Sequence, residues 1–102
     1  MEEVRRQKFV GPVLRGMDEE IIDALLVAIE QDNPDQELLY EDRGGYVRIN
    51  TPRRCRVTKK SLEAALGRPF RLAELEPSLS AFAGRMRFDG DGALEWYLER
   101  ED

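Results

Sequence analysis

The side chains that could support catalysis are few, and the most versatile one is missing. The 102-residue chain contains no histidine, the commonest general base and transition-metal ligand in proteins. A single cysteine, Cys55, can neither form an intrachain disulfide nor hold an iron–sulfur cluster. Because no histidine can serve as its base, Cys55 is a poor nucleophile, and its place beside Val57 on one strand face predicts a core thiol.

Paired carboxylates are the remaining candidates for acid–base chemistry. They occur on stretches expected to be solvated helix or strand faces, at Glu19/Glu20, Glu41/Asp42, Glu74/Glu76 and Glu95/Glu99. Residues 89–92 (DGDG) are similar to the start of a calcium loop, but the sixth and twelfth loop positions are then Leu94 and Arg100 rather than glycine and glutamate. We interpret residues 89–92 as a hairpin turn and expect no catalytic, cofactor-binding or metal-binding residue in the chain.

The arginines at 53, 54 and 56 form a basic strip. It has two interpretations: charge that protects an edge strand from mispairing, which we favour, or a docking surface for a partner. The net charge of −5 and the pI of about 4.9 argue against general binding to nucleic acid or to an anionic membrane. The single cysteine and the polar N-terminus, without an apolar signal core or membrane span, favour the cytoplasm.

The elements that must position these residues form one domain at 8–102, after a flexible tail at 1–7. Residues 8–15 predict a strand, with Pro12 favouring an edge or a bulge. The apolar spacing of Ile22, Leu25, Leu26 and Ile29 predicts a helix over 18–31, capped by Asp18 and ended at residues 33–34. A hairpin follows, from 38–42 to 46–50, with a turn at residues 44–45. Its second strand has Val47 and Ile49 on one face and Tyr46, Arg48 and Asn50 on the other.

The second half of the chain completes a mixed fold. A strand at 53–58 precedes a helix that Thr58 caps and Gly67 ends, with the apolar stripe Leu62, Ala65 and Leu66. A helical turn over 71–76 halts before Pro77, and an uncharged segment runs from 78 to 84. The last hairpin joins 85–88 to 94–98, with Leu94, Trp96 and Leu98 inward and Glu95, Tyr97 and Glu99 outward. The order β-α-β-β-β-α-α-β-β predicts an α/β (α+β) domain of mainly antiparallel hairpins packed with two to three helices.

Five motifs follow one another along nearly the whole chain: residues 10–15 (VGPVLR), 29–34 (IEQDNP), 41–43 (EDR) with 46–49 (YVRI), 66–70 (LGRPF), and 75–76 (LE) with 80–84 (SAFAG). Their order and spacing resemble those of the effector, or coupling, proteins of bacterial multicomponent diiron monooxygenases, in particular the toluene monooxygenase branch. The wider family includes the regulatory components of phenol hydroxylase and soluble methane monooxygenase.

The resemblance implies a cofactor-free, non-catalytic protein, monomeric when free. Such a protein binds the large subunit of a diiron hydroxylase, reshapes its active site, and couples NADH-derived electrons and O2 to hydroxylation. A ferredoxin and a flavin reductase supply the electrons. Two other functions stay open: a free-standing ligand-binding or regulatory module acting on another protein, and a small acid–base enzyme that uses carboxylates.

The same resemblance implies where the hydroxylase is contacted. One region is the turn after the first helix, and a second is the uncharged segment before the last hairpin, which is equally well interpreted as a buried connector. The Tyr46 and Arg48 face extends this surface or is simply a solvated sheet face. The candidate contacts are Asp32, Asn33, Pro34, Tyr46, Arg48, Ser78, Ser80, Ala81, Phe82, Ala83 and Gly84.

Overall fold

The structure is a computed structural model that describes residues 8–16 and 18–98. Residues 1–7, which we predict to be a tail, and Glu99 lie outside these ranges. Over the described part the chain forms two antiparallel sheets, two α-helices and a 3-10 helix. In chain order they are β1 (Phe9–Leu14), α1 (Glu19–Asp32), β2 (Leu39–Asp42), β3 (Val47–Pro52), β4 (Arg54–Thr58), α2 (Lys59–Leu66), the 3-10 helix (Leu72–Ser78), β5 (Leu79–Ala83), β6 (Arg85–Asp89) and β7 (Ala93–Tyr97).

The first sheet has the strand order β2-β3-β1-β5. Its β2–β3 hairpin closes as predicted, with the Arg43 N–H donating to the Tyr46 carbonyl. Because β1 lies between β3 and β5, the prediction that Pro12 marks an edge strand is wrong. The alternative, a bulge, is closer to the observation, since the β1–β5 register shifts between Val13 and Leu14. An irregular ladder tolerates a proline, which has no N–H to donate.

The segment from 78 to 84 is neither a loop nor a buried connector. Leu79–Ala83 pairs with β1 and forms β5, the outer strand of the first sheet. Its run of small and apolar residues lacks the alternation that indicates a strand, and its partner is distant in sequence. The fold therefore has one strand more than the sequence predicted, while its α+β class is confirmed.

The second sheet has the strand order β4-β7-β6. The β6–β7 hairpin turns at residues 89–92 as predicted, so the interpretation of these residues as a turn is confirmed. β4 is an edge strand, as expected from its arginines, but it pairs with β7 in a register that sets Arg56 opposite Glu95.

The helices begin and end close to the predicted residues. Asp18 is the N-cap of α1 through its backbone carbonyl, which accepts from the Ile21 and Ile22 N–H groups, while its side chain makes no cap bond. The Thr58 hydroxyl caps α2 by accepting from the Ser61 N–H at 3.1 Å, and Gly67 ends it in the left-handed conformation.

Two details of the helical prediction are wrong. Ala65 is exposed and does not join the apolar stripe of α2, where only Leu62 is buried. The turn after α2 does not stop before Pro77, because the 3-10 helix continues through Pro77 to Ser78. The fixed φ of proline, near −65°, is compatible with 3-10 geometry.

The core lies between the two helices and the inner faces of the sheets. α1 packs against α2 and β4. The buried side chains of one cluster come from all of these elements: Val10, Leu14, Leu25, Ile29, Ile49, Cys55, Val57, Leu62, Leu94 and Trp96. The predicted inward positions of Cys55, Val57, Leu94 and Trp96 are confirmed. None of the described helices is long and apolar enough to cross a membrane.

Candidate functional site

The turn after α1 is held inside the domain by the side chains of its first two residues. The Asp32 carboxylate accepts from the Thr58 N–H at 2.8 Å, from the Thr58 hydroxyl at 3.0 Å and from the Ser61 hydroxyl at 2.7 Å. These three bonds join the end of α1 to the start of α2. Asp32 therefore has a structural role that its motif did not indicate.

Asn33 ties the same turn to the second sheet. Its amide nitrogen donates to the Ile29 carbonyl at 2.6 Å and the Arg56 carbonyl at 2.7 Å, and its amide oxygen accepts from the Arg56 N–H at 3.0 Å. The side chain thus pairs with β4 much as a neighbouring strand would. Of the three candidate contacts in this turn, only Pro34 is exposed.

The other candidate contacts lie in the first sheet, where pairing brings Arg48 and β5 into one row. Val13 of β1 is opposite Arg48 on one side and residue 81 on the other, so Arg48 and residue 81 are two strands, about 10 Å, apart. Arg48 is half-buried, with its Nε 3.9 Å from Glu41 Oε1. Tyr46 is also half-buried, in the turn before β3.

Asn50 does not belong to an open face with Tyr46 and Arg48, as its alternation predicted. It is 1% exposed. Oriented with its oxygen toward β1, its amide accepts from the Gly11 N–H and donates to the Ile49 carbonyl, both at 3.2 Å. These bonds satisfy backbone groups where the β1 ladder is irregular.

β5 presents its aromatic residue to solvent. Phe82, opposite Pro12 of β1, is 42% exposed, whereas Ala83 is half-buried. Before the strand, the Ser78 carbonyl accepts from the Arg15 N–H at 2.8 Å. After it, Gly84 has φ of +91°, and a Cβ there would lie 2.7 Å from the Tyr97 carbonyl oxygen. Gly84 is therefore the point at which the chain passes from the first sheet to the second.

The strongest charge cluster of the described residues is one that sequence reasoning missed. Glu95, predicted to face outward from β7, is 1% exposed. Oε2 accepts from Arg54 at 2.7 Å and from Arg56, and Oε1 accepts from two nitrogen atoms of Arg87 at 3.0 and 3.2 Å. The Arg87 guanidinium also lies over the Tyr97 ring, 4.8 Å from its centroid.

The arginines decide the protonation of this carboxyl. Burial opposes ionisation of Glu95, but hydrogen bonds from Arg54, Arg56 and Arg87 outweigh it and lower its pKa to about 2. Glu95 thereby raises the pKa of Arg54 in turn. A carboxylate that stays ionised and is fully occupied by guanidinium groups is poorly suited to proton transfer near neutral pH.

The sequence contains only part of the signal for this cluster. Two strands with alternating arginines, β4 and β6, flank a strand with one carboxylate on the matching face. The β6–β7 turn fixes Arg87 opposite Glu95, but nothing local indicates that β4 joins β7. The long aliphatic stems of the arginines then cover the carboxylate, which alternation alone does not predict.

The Cys55 thiol, the other group that could react, is buried and stays protonated near neutral pH. Burial raises the pKa of the Cys55 thiol to about 12, although a hydrogen bond from Thr51 opposes the shift. In the described ranges no three His, Cys, Asp or Glu side chains are grouped as a metal site. A cavity of about 740 Å³ lies beside the β6–β7 turn, lined by Lys59, Arg71, Leu72, Ala73, Phe88 and residues 90–92.

Comparison with known proteins gives a consistent result. The sequence profile of the MmoB/DmpM family matches residues 8–97. The effector subunit of the alkene monooxygenase system of Xanthobacter autotrophicus strain Py2 is 46% identical over 93 residues, which is 91% of this chain and 89% of that protein.

Solved structures share the fold. A chain in the phenol hydroxylase–regulatory protein complex superposes with a TM-score of 0.71 at 24% identity, covering 90% of this chain and 100% of that one. Regulatory protein B of soluble methane monooxygenase has a TM-score of 0.64 at 25% identity, covering 97% of this chain and 71% of that one. The resemblance to the wider effector family that the sequence motifs indicated is therefore confirmed, as is the fold it implied.

Proposed function

The chain belongs to the MmoB/DmpM family, and from this membership we propose that it is a cofactor-free effector that binds the diiron hydroxylase of a multicomponent monooxygenase and regulates it without catalysing a reaction. The observation that carries the proposal is the 46% identity, over about nine-tenths of both chains, to the effector subunit of an alkene monooxygenase system. Identity at this level and coverage supports the same architecture and the same kind of role for the two chains.

The physical mechanism is a shift between conformations of the partner. An effector that binds one hydroxylase conformation more tightly increases its population by the ratio of the two affinities. Moving a conformational equilibrium from 1:99 to 99:1 takes about 5.5 kcal/mol of preference. An interface of the common size, about 1,600 Å², can supply this if it contains good anchors. We propose that the favoured conformation couples NADH-derived electrons and O2 to hydroxylation.

The residues of the first sheet are the contacts that the structure makes most available. Phe82 is an exposed aromatic residue on an outer strand without charges, so burying it costs little desolvation. Arg48 lies in the neighbouring row of the sheet, opposite Val13, so its side chain points to the other face of the sheet from Phe82. Pro34 is exposed in the turn that Asn33 bonds to β4. Asp32 and Asn33, whose polar groups are bonded internally, act by holding Pro34 in place.

The carboxylate enzyme that the sequence left open is disfavoured by Glu95. Among the residues that the structure describes, Glu95 is the one buried carboxylate, and its two oxygens are bonded to three arginines. The observation that favours a ligand-binding module as a second candidate is the cavity of about 740 Å³, whose volume is in the range of small-molecule pockets. Its rim residues Arg71, Phe88 and Asp91 are exposed, so the cavity is an open depression and holds a ligand less well than an enclosed one.

The substrate belongs to the partner rather than to this chain. The motifs are similar to the toluene branch, whereas the 46% identical relative is an alkene monooxygenase effector. We propose that the cognate hydroxylase oxidises a small hydrocarbon of one of these two kinds, and that a ferredoxin and a flavin reductase deliver its electrons.

A direct binding measurement tests the proposal. The purified chain, titrated into its cognate hydroxylase and followed by isothermal calorimetry, is expected to saturate at one chain per large subunit. Bovine serum albumin in place of the hydroxylase is the control for non-specific heat. Binding that fails to saturate, or that is equal for the two proteins, contradicts the proposed function. Saturation of the chain by a small hydrocarbon alone supports the ligand-binding module instead.

A further inference from the structure

The outer face of the second sheet is basic, although the chain as a whole is acidic. The net charge of the chain is −5. Three arginines of this sheet, Arg54, Arg56 and Arg87, surround the buried carboxylate of Glu95, and Arg56 also lies 3.7 Å from Asp89, so these five groups carry one positive charge in excess. Pairing places the three arginines on both sides of β7: Arg54 and Arg56 on β4, and Arg87 on β6. We call these three residues the arginine face.

The arginine face points away from the helices. Cys55, Val57, Leu94 and Trp96 alternate with the arginines and Glu95 along the same strands, and they pack into the core with α1 and α2. Successive side chains of a strand point to opposite faces, so the arginines lie on the side that no described element covers. Arg54 and Arg87 are accordingly exposed, with 60% and 59% of their side chains accessible.

Buried Glu95 holds the guanidinium groups in fixed positions. It bonds Arg54 and Arg56 through one oxygen and Arg87 through the other, and Arg87 is further held over Tyr97. An exposed arginine normally loses side-chain entropy when it binds a partner. Arginines already held in place lose less, and each keeps outward N–H donors in a planar arrangement that matches a carboxylate.

Four N–H bonds from the three arginines fill the acceptor positions of the Glu95 carboxylate. One carboxylate neutralises only one positive charge, and Asp89 offsets a second, so one positive charge of the arginine face stays in excess. The side chains of Arg54 and Arg87 are 60% and 59% exposed, so their remaining N–H groups are open to solvent. A surface of this kind attracts and orients a negatively charged partner.

We propose that the arginine face docks on an acidic, carboxylate-bearing surface of the hydroxylase, an inference that rests on the proposed function. The occupant is a protein surface, because the net charge of −5 opposes binding to the polyanionic backbone of nucleic acid, whereas single carboxylates accept paired N–H donors from arginine. The face also adjoins a predicted contact, since Asn33 bonds both backbone groups of Arg56 and so joins the turn at 32–34 to β4. The docking surface thus extends from Pro34 across the second sheet.

The test compares two single substitutions of exposed arginines. Arg54→Gln removes one charge of the arginine face while leaving Arg56 on one oxygen of Glu95 and Arg87 on the other. The control is Arg68→Gln: Arg68 is also exposed, at 46%, and lies 3.8 Å from a carboxylate, that of Glu20, after α2 on the helical side of the molecule. Arg54→Lys keeps the charge and removes the planar group.

The dissociation constant for the cognate hydroxylase is measured for each full-length variant at about 20 mM and about 500 mM salt, where the Debye length falls from about 20 Å to about 4 Å. Arg54→Gln is expected to raise the dissociation constant about fivefold at low salt. At high salt the rise is less than twofold, because salt already screens the attraction that the substitution removes. Arg54→Lys recovers part of the loss at low salt, and Arg68→Gln has no effect at either salt concentration.

Each other outcome overturns a specific statement. Equal dissociation constants for Arg54→Gln, Arg68→Gln and the wild type overturn the arginine face as a docking surface while leaving the proposed function intact. Absence of wild-type binding at both salt concentrations overturns the proposed function itself. If the thermal midpoint of Arg54→Gln lies below that of the wild type, the affinity of Arg54→Lys is compared with the wild type instead. An Arg54→Lys variant that binds as tightly as the wild type at both salt concentrations overturns the requirement for a planar guanidinium group. Binding of duplex DNA that Arg54→Gln abolishes would overturn the protein partner.

Discussion

Replacement of Glu95 by glutamine isolates the charge of the buried carboxylate, because the two side chains have nearly the same shape. In the folded protein the pKa of Glu95 is about 2, against 4.5 for a free glutamate, since the arginine bonds outweigh the cost of burial. At about 1.4 kcal/mol per pKa unit, this difference corresponds to about 3 kcal/mol of folding free energy. We therefore expect Glu95→Gln to lower the free energy of unfolding at pH 7 by about 3 kcal/mol.

The pH dependence of this loss has a definite sign. A carboxyl whose pKa is lower in the folded state stabilises the fold above its unfolded pKa and loses that contribution as the pH falls toward its folded pKa. The difference between wild type and Glu95→Gln should be constant from pH 7 to about 5. It should narrow as the pH falls from 4.5 and approach zero near pH 2.

Urea unfolding followed by circular dichroism at a series of pH values measures both quantities. Glu41→Gln is the matched control, because Glu41 is partly exposed and pairs with Arg43 at 3.2 Å on the surface, a bond that contributes at most about 1 kcal/mol. If Glu95→Gln costs no more than the control, or if its cost does not narrow on acidification, then the three arginines do not stabilise the ionised carboxylate as described.

Four further predictions concern single positions. Gly11→Ala should lower the free energy of unfolding by about 3 kcal/mol, because φ is +145° and the new Cβ meets the Ile49 carbonyl oxygen; an unchanged urea midpoint contradicts this close approach. Thr58→Ala should lower the free energy of unfolding by about 2 kcal/mol, because it removes both the α2 cap and the hydroxyl bond to Asp32, and a loss below about 0.3 kcal/mol would refute both bonds. Cys55, with a pKa of about 12, should not react with Ellman's reagent at pH 8 until urea unfolds the protein; prompt reaction of the folded protein would show that the thiol is accessible. Phe82→Asp should leave the thermal midpoint unchanged and raise the dissociation constant for the hydroxylase about tenfold, whereas wild-type affinity removes β5 from the interface.

The elements defined by local patterns were predictable from the sequence. The helix periodicity from Ile22 to Ile29, the cap at Thr58 and the turns at 44–45 and 89–92 depend only on neighbours in the chain, and the structure places them as expected. The strand β5 was not predictable in this way. Its small residues form a strand because β1 offers a partner edge, and that partner is set by the rest of the fold.

The candidate site was predictable in outline and not in its polar details. The alternation of polar and apolar residues correctly placed Arg54 and Arg56 on the opposite face of β4 from Cys55 and Val57. It wrongly placed Glu95 in solvent, because alternation predicts the face to which a side chain points and not what covers that face. The internal bonds of Asp32 and Asn33 could not be inferred either. They depend on how α1 meets β4 and α2, which no local signal contains.

The ratio of product formed to NADH consumed tests the central claim most directly. The cognate hydroxylase, ferredoxin and reductase are mixed with substrate, and the chain is added from zero to a twofold excess over hydroxylase active sites. Regulation by a bound effector predicts that the ratio rises with added chain and reaches a plateau near one chain per active site. A ratio that stays flat across the titration, with folded chain and active partners, would contradict the assignment of this protein as an effector.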